Sequence, residues 1–415
     1  MKFLLLTQYY YPEPGSAALK MRELAEFLAA RGHTVSVVTG FPNYPYGRIY
    51  PGYKLRLCRR EALNGVNLIR VALYPSGERR KFFKRMLNHL SFMLSAVFGG
   101  LRSGRPDLIY YYSPPLFTGF SGWILKLIFR VPLAAEINDL WPQAPIALGV
   151  IKNNFIKRAA FWFEKFVYHK TDHLFFYSRT MMRQVLDKGV PEAKTGISPL
   201  WVSTKEFSLR PPDEASALKN EFGWQEKSIV MYAGYIGMAQ GLQIVIDLAK
   251  RLKTRPEIIF VLVGDGPEKE RLMQTAQEAG LSNLSFVPFQ ETARIPCFLS
   301  AADILFATLV PAEHRKGTIP AKILAYLSME KPLLIAAEGE AAQVALESGG
   351  GRVVRPGDIE GISRAIIELI DNSRERQEMA KKARRYVLDN FDKEKICLAL
   401  EKRLIEIAGQ KNKNS

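Results

Sequence analysis

Short runs of wholly apolar residues alternate along the first half of the chain with longer stretches of mixed polarity. This is the pattern of βαβ units around a buried parallel sheet. Residues 2–7 read as a buried strand, 18–31 as an amphipathic helix, Gly32-His33 as a turn and 34–39 as the next strand. Residues 107–112, 133–137 and 173–178 are further apolar runs of strand length. Residues 204–213 carry Pro211-Pro212 and no periodicity, so they read as a linker between domains. Beyond them, 229–233, 258–263, 284–287, 304–307 and 333–336 are predicted strands, with helices at 243–252 and 268–279. The charged stretch 374–408 is predicted helical, and the polar tail 410–415 is expected to fray. The predicted fold class is α/β, with two doubly wound domains. Ligands of such sheets bind outside the carboxyl ends of the strands, which places the expected site in a cleft between the domains.

At 415 residues the chain exceeds what one hydrophobic core usually serves, and 47% hydrophobic with 24% charged residues excludes wholesale disorder. The N-terminus lacks the pattern of a secretory signal, and the best apolar run, 116–129, is broken by glycines and Lys126. No membrane-spanning helix is expected. Cys58, Cys297 and Cys397 lie far apart without metal-ligand spacing, which fits a reducing compartment.

Charge changes this picture. Residues 1–200 hold 28 basic and 12 acidic side chains, a net +16, whereas 201–415 hold 30 and 29. The excess in the first half points to an anionic partner, either nucleic acid or a membrane surface. Arg79-Arg80-Lys81-Phe82-Phe83-Lys84-Arg85 opens a segment, 79–101, with apolar residues at Phe83, Leu87, Leu90, Leu94, Val97 and Leu101. The spacing predicts a helix with a basic, aromatic entry, suited to an anionic bilayer surface or to a core position with one solvated end. No nucleic-acid motif accompanies the charge, and the favoured partner is lipid.

Four loops carry candidate chemistry. Pro12-Glu13-Pro14-Gly15-Ser16 joins the first strand to the first helix, whose N-terminus favours negative charge. Gly234, Gly237 and Gly241 lie in a second strand-to-helix loop, which is not the GxGxxG of nicotinamide-binding proteins. Gly264-Asp265-Gly266 forms a third turn, able to line a base or ribose or to cap the next helix. In the fourth, His314, Arg315, Lys316 and Lys322 surround a helix start, where the helix dipole disfavours cations unless an anion binds. His169 and His173 are four apart but straddle a helix end, which disfavours a metal site. There is no HExxH, Walker loop, GxSxG or DxD, against zinc hydrolysis, P-loop and serine-esterase chemistry.

Taken in order, Tyr9 to Gly15, Arg31-Gly32-His33, Glu136-Ile137-Asn138-Asp139-Leu140-Trp141-Pro142, Gly234 to Gly241, Val263 to Glu268, Pro320 to Tyr326, Gly339-Glu340 and Pro356-Gly357-Asp358 resemble the retaining family 4 glycosyltransferases of GT-B fold. The likeness is greatest to the bacterial surface-polysaccharide subgroup (O-antigen, capsule), including fucosyl- and N-acetylfucosaminyl-type transferases. It implies an acceptor-binding, membrane-facing domain over 1–203, a nucleotide-sugar domain over 204–385, and a segment 386–415 whose helix packs back on the first domain. It implies a nucleotide-sugar donor, an undecaprenyl-diphosphate-linked glycan acceptor, no metal or other cofactor, and a cytoplasmic location at the inner face of the plasma membrane.

By the same resemblance, Asp139, Lys322 and Glu136 are the expected catalytic residues. The donor is expected at Gly234, Gly237, Gln240, Gly241, Gly264, Asp265, Gly266, Val287, Phe289, Arg315, Lys316, Pro320, Ala325 and Glu340, and the acceptor at Glu13, Gly15, Ser16, Asn138 and Trp141. The chain departs from the family pattern at Tyr235, Gln240 and Met238, which stand where cations commonly face the diphosphate or its neighbourhood. Ala325 stands where a glutamate holds the ribose, and Asn138 in place of a histidine. These departures keep open a second reading, a catalytically silent relative that binds polysaccharide intermediates.

Overall fold

The computed structural model describes residues 1–76, 82–147, 149–313 and 316–412. Two compact units emerge, one of Met1–Pro199 with Cys397–Ser415, the other of Leu200–Ile396.

The first unit runs β1 (Lys2–Leu6), α1 (Ser16–Ala30), β2 (Thr34–Gly40), β3 (Cys58–Leu63), β4 (Val66–Val71), α2 (Phe82–Arg102), β5 (Leu108–Ser113), α3 (Phe117–Phe129), β6 (Leu133–Ile137), α4 (Gln143–Ala147), α5 (Asn154–Lys170), β7 (His173–Phe176), α6 (Arg179–Leu186) and β8 (Thr195–Ile197). The strands form one sheet in the order β3-β4-β2-β1-β5-β6-β7-β8, parallel except for β3. β5, β6 and β7 are buried along their whole length, as both-face-covered parallel strands require. β3 and β4 form a hairpin that the apolar runs did not reveal. Asn64-Gly65 turns it with both φ angles positive, and β3 alternates exposure instead of forming an apolar run. The order reverses between β1 and β5, whose carboxyl ends therefore flank the unit's natural crevice.

In the second unit come α7 (Pro212–Phe222), β9 (Ser228–Ala233), α8 (Gln243–Arg251), β10 (Ile258–Val263), α9 (Lys269–Glu278), β11 (Leu284–Val287), α10 (Ile295–Ala301), β12 (Ile304–Thr308), α11 (Ala321–Ser328), β13 (Leu333–Ala336), α12 (Glu340–Glu347), β14 (Gly351–Val354), α13 (Ile359–Asp371) and α14 (Ser373–Asn390). The all-parallel sheet has the order β11-β10-β9-β12-β13-β14, with its switch point between β9 and β12. Its core joins Val230, Tyr232 and Phe260 of the sheet to Ile246, Leu248 and Ile366 of the covering helices.

The predicted linker 204–213 is pinned by hydrogen bonds. Arg384 donates to the carbonyls of Thr204 and Phe207 at 2.9 Å, and Ser328 Oγ also bonds the Phe207 carbonyl, at 2.6 Å. The charged stretch 374–408 is helical, as expected, in two pieces. It breaks at Phe391-Asp392, where Val202 pairs with Asp392, and resumes as α15 (Lys393–Asn412). Within the first unit, Glu401 of α15 bonds Arg31 at 3.1 Å and His33 at 2.8 Å. The helix runs on past 410, and residues 413–415 of the expected frayed tail lie outside the described residues.

α2 begins at Phe82, so Arg79, Arg80 and Lys81 lie outside the described residues. It turns Asn88, His89, Phe92 and Ala96 inward and leaves Phe83, Leu87, Leu94, Phe98 and Leu101 exposed. Much of the apolar stripe seen in the sequence therefore faces solvent. Among the described residues no helix is long and apolar enough to cross a membrane.

Candidate functional site

The carboxyl ends of β9, β10 and β12 gather most of the second unit's candidate residues. β9 feeds the loop 234–241 and β10 the loop 264–268, and these loops lie backbone on backbone. Gly234 N donates to the Val263 carbonyl at 2.9 Å and Ile236 N to the Asp265 carbonyl at 2.8 Å. A Cβ at Gly264 would stand 2.0 Å from the Gly234 carbonyl oxygen, and one at Gly266 2.2 Å from that of Ile236. Both glycines also have positive φ. They are therefore required by loop packing alone, whatever they later hold.

Lys322 rises from the first turn of α11 into this crevice. Its Nζ lies 3.8 Å from the centroid of the Tyr232 ring and donates to the Tyr232 hydroxyl, which in turn donates to the Tyr235 carbonyl at 2.6 Å. A Cβ on Gly234 would meet the same Nζ at 2.7 Å, so the glycine leaves room for the ammonium. Burial pushes the Lys322 pKa down to about 7, and among the described residues no carboxylate opposes the shift. A desolvated cation at a helix start is disfavoured by the helix dipole as well.

Tyr326 closes the motif Pro320 to Tyr326, but the sequence assigns it no role. Its hydroxyl accepts from Ala233 N at 2.6 Å and donates to the Ala233 carbonyl at 2.8 Å, fixing α11, and so Lys322, to the end of β9. Only its place one turn beyond Lys322 hints at this role.

Around the crevice, Gln240 Oε1 is buried without a hydrogen-bond partner. Asp265 is exposed and bonds Gly266 N at 2.8 Å. Val287 is buried, while Phe289 and Tyr235 are exposed and Met238 is 78% exposed. Gly237 packs under the Tyr235 ring and Gly241 against Val310. Pro320 precedes α11 as its N-cap, and Ala325, on the next turn, is buried. Lys316 is half-buried and paired with Glu313 at 2.5 Å, and its carbonyl accepts from Glu340 N at 2.8 Å. His314 and Arg315 lie outside the described residues.

In the first unit the candidates divide. Glu136, expected to be catalytic, is wholly buried inside β6. It pairs with Lys20 of α1 and accepts from the Tyr110 hydroxyl at 2.7 Å. Its environment is that of a structural ion pair, because strand alternation turns it into the core beneath the helix. Glu13, expected at the acceptor, is also buried. It accepts from the backbone N–H groups of Asn43 and Tyr44 at 2.8 Å, tying the first loop to the one after β2, and burial raises its pKa to about 7.

Asn138, Asp139 and Trp141 do sit at the carboxyl end of β6. Asn138 N bonds the Ser113 carbonyl at 2.9 Å, Asp139 is exposed, and Trp141 packs edge-on to Phe117 at 5.7 Å. Gly15 and Ser16 are exposed at the start of α1, with open space where a Gly15 Cβ would point.

Sequence reasoning missed His89. Burial lowers its pKa to about 3, so the ring is neutral, and its Nδ1 lies 2.8 Å from Gln8 Oε1. Since that oxygen only accepts, Nδ1 carries the proton and Nε2 keeps its lone pair. The ring stacks on Phe117, 6.3 Å away, at the switch point between β1 and β5.

Two α/β units, each with a largely or wholly parallel sheet and candidate residues at its switch point, make up the GT-B fold. The chain belongs to the glycosyltransferase 4/1 family: residues 15–201 match the glycosyl transferase 4-like domain and residues 215–386 match the glycosyl transferases group 1. It is 32% identical over 309 residues, 73% of this chain and 75% of the relative, to a protein of Escherichia coli K12 named as the colanic acid biosynthesis glycosyl transferase WcaI. It is 24% identical over 227 residues, 53% of this chain and 58% of the relative, to a GDP-mannose-dependent phosphatidylinositol monomannoside mannosyltransferase of Mycolicibacterium smegmatis. Among solved structures it is similar to HepE of Anabaena in complex with UDP, at a TM-score of 0.74 and 18% identity, covering 98% of this chain and all of the other.

Proposed function

We propose that this chain transfers a sugar from a nucleotide-sugar donor, held by the second unit, to a lipid-diphosphate-linked glycan held by the first, in the assembly of cell-surface polysaccharide. The anomeric configuration is retained, no metal takes part, and the donor sugar is a hexose or deoxyaminohexose of the fucosyl or N-acetylfucosaminyl type. The observation that carries the reading is Lys322, a desolvated ammonium at the start of α11 above the β9–β12 switch point. Cleavage of the donor's glycosidic bond leaves charge on the departing diphosphate. A pre-placed cation and the aligned amides at the α11 start stabilise that charge more in the transition state than in the bound donor. Gly234, Gly237 and Gln240 bring backbone and an unpartnered amide oxygen to the same crevice, while Tyr235, Met238 and Phe289 offer apolar faces to the base and sugar. Asp139, Asn138 and Trp141 face the acceptor. The relative named for colanic acid biosynthesis, the phosphatidylinositol mannosyltransferase and the UDP complex of the structural relative support this reading.

The reading also places the protein at the inner face of the plasma membrane. Lys84 and Arg85 stand beside the outward apolar stripe of α2, and this combination of cations with Phe83, Leu94 and Phe98 suits an anionic leaflet.

Calorimetric titration with uridine and guanosine diphosphates tests the donor site. One of them binds, and Lys322→Ala weakens it about ten- to a hundred-fold, the worth of a charge-assisted hydrogen bond. Equal affinity in both proteins removes Lys322 from the site. The second reading, a silent relative, is favoured by the absence of a ribose-holding carboxylate at the buried Ala325. It holds if no nucleotide sugar is turned over.

A further inference from the structure

The first unit carries an unbroken file of aromatic rings between α3 and α5. It begins at Trp141, two residues past Asp139, and passes in turn to Phe117, Phe163, Phe120, Phe166 and Trp162. Successive centroids lie 5.2 to 6.3 Å apart. None of the six is in the buried core. Five are half-buried and the last, Trp162, is 67% exposed. Rings that completed a core would be covered, and rings scattered on a surface would not touch in sequence. A contiguous, half-open apolar strip of this kind marks a binding surface.

We infer that this strip is the path of a phosphate-headed polyprenyl chain, entering at Trp162 and delivering its head to the Trp141 end. Trp123 widens the strip at its middle, packing on Phe120 and Phe166 at 5.4 and 4.9 Å. Two features select that occupant. Both walls are helices, so no sheet edge is offered to a peptide. The charge on α5 is one-sided: Lys157, Arg158, Lys165 and Lys170 accompany a single acid, Glu164, which is buried and paired with Lys188 at 2.6 Å, while Lys126, the only charged residue of α3, is paired with Asp172 at 2.6 Å. At the entry, Phe155 and Trp162 share one stripe of α5 with Arg158 and Lys165 beside it, the composition of a helix resting among anionic headgroups. The choice of a prenyl chain rests on the lipid-linked acceptor proposed above; the strip itself does not.

The test uses the whole protein and monodisperse geranyl, farnesyl and geranylgeranyl monophosphates, with binding read by tryptophan fluorescence and inorganic phosphate as control. Affinity rises about three- to tenfold with each added isoprene unit, because each buries further apolar surface along the strip. In Trp162→Ser, an exposed change that spares the core, and in the conservative Phe166→Leu, that increment falls while circular dichroism is unchanged. An affinity independent of chain length overturns the inference, as does an increment that both variants retain. So does binding to phosphatidylglycerol vesicles with no response to the monodisperse phosphates, which would make the strip a bilayer dock. Nucleoside diphosphate titrated in parallel reports on the second unit. In the wild-type protein, absence of that binding alone defeats the donor reading, and absence of the chain-length increment alone defeats this one.

Discussion

Replacing Lys322 by Met should make the protein more stable and, at the same step, poorer at holding a nucleotide. The unfolded chain keeps this lysine protonated to the ordinary 10.5, whereas the folded one does so only to about 7. Below pH 7 the fold therefore carries the whole penalty of a desolvated ammonium. Between pH 7 and 10.5 the unfolded state binds more protons, so stability rises with pH across that window. At ~1.4 kcal/mol per pKa step the penalty is at most about 4–5 kcal/mol, and partial solvent access trims it. The substitution also forfeits the contact with the Tyr232 ring, about 0.5–2 kcal/mol, and a hydrogen bond of similar worth. A net gain of about 1–3 kcal/mol at pH 6 remains, which for a domain of this size is a rise in Tm of several degrees. Thermal melts at pH 6 and pH 10 and calorimetry with the diphosphate form the assay. The stability gain should shrink toward pH 10, and wild-type affinity should fall as pH rises above 7. A variant equally stable at both pH values, with undiminished affinity, would refute the argument.

Three further outcomes are expected. Ala325→Glu should tighten diphosphate binding by about 1–3 kcal/mol in calorimetry if its carboxylate reaches the ribose hydroxyls; weaker binding with a lower Tm would mean a buried, unpartnered acid and a remodelled pocket. Lys20→Met should cost about 3–5 kcal/mol in denaturant unfolding because it strands Glu136 in the core, and Lys20→Met with Glu136→Leu should recover most of that; no loss in the single variant would contradict the buried pair. Neutralising Arg79, Arg80, Lys81, Lys84 and Arg85 together should abolish flotation with phosphatidylglycerol vesicles, at about 1 kcal/mol per charge, and unchanged flotation would rule out that contact.

How far the sequence reached depended on what each residue's environment owes to its neighbours in the chain. The buried parallel strands announced themselves as apolar runs, as did the strand-to-helix glycine loops. β3 did not, because it alternates at a sheet edge, nor did β8 and β14, which are three and four residues long. Lys322 was legible because a cation in a first helical turn conflicts with the dipole locally. The pairing of Glu136 with Lys20 was not legible because the two lie far apart in sequence, and only the fold turns both inward. The bonds of Tyr326 to Ala233 and of His89 to Gln8 were hidden for the same reason: each joins a helix to a strand end far away in sequence. The aromatic strip is likewise divided between α3, α5 and the loop after β6, and no single segment displays it.

Sugar transfer itself is the most direct test of the account. Whole protein is incubated with a panel of uridine and guanosine diphosphate sugars and a prenyl-diphosphate-linked acceptor sugar in the presence of EDTA, and the products are followed by mass spectrometry and proton NMR. One donor should lose its nucleoside diphosphate and leave its sugar on the lipid with its anomeric configuration retained, and Lys322→Ala should slow this at least tenfold. Transfer with inverted configuration would contradict the retaining reading, and dependence on added metal the metal-free one. Failure to release nucleoside diphosphate from any donor in a panel that includes fucosyl and N-acetylfucosaminyl donors would contradict the enzyme assignment.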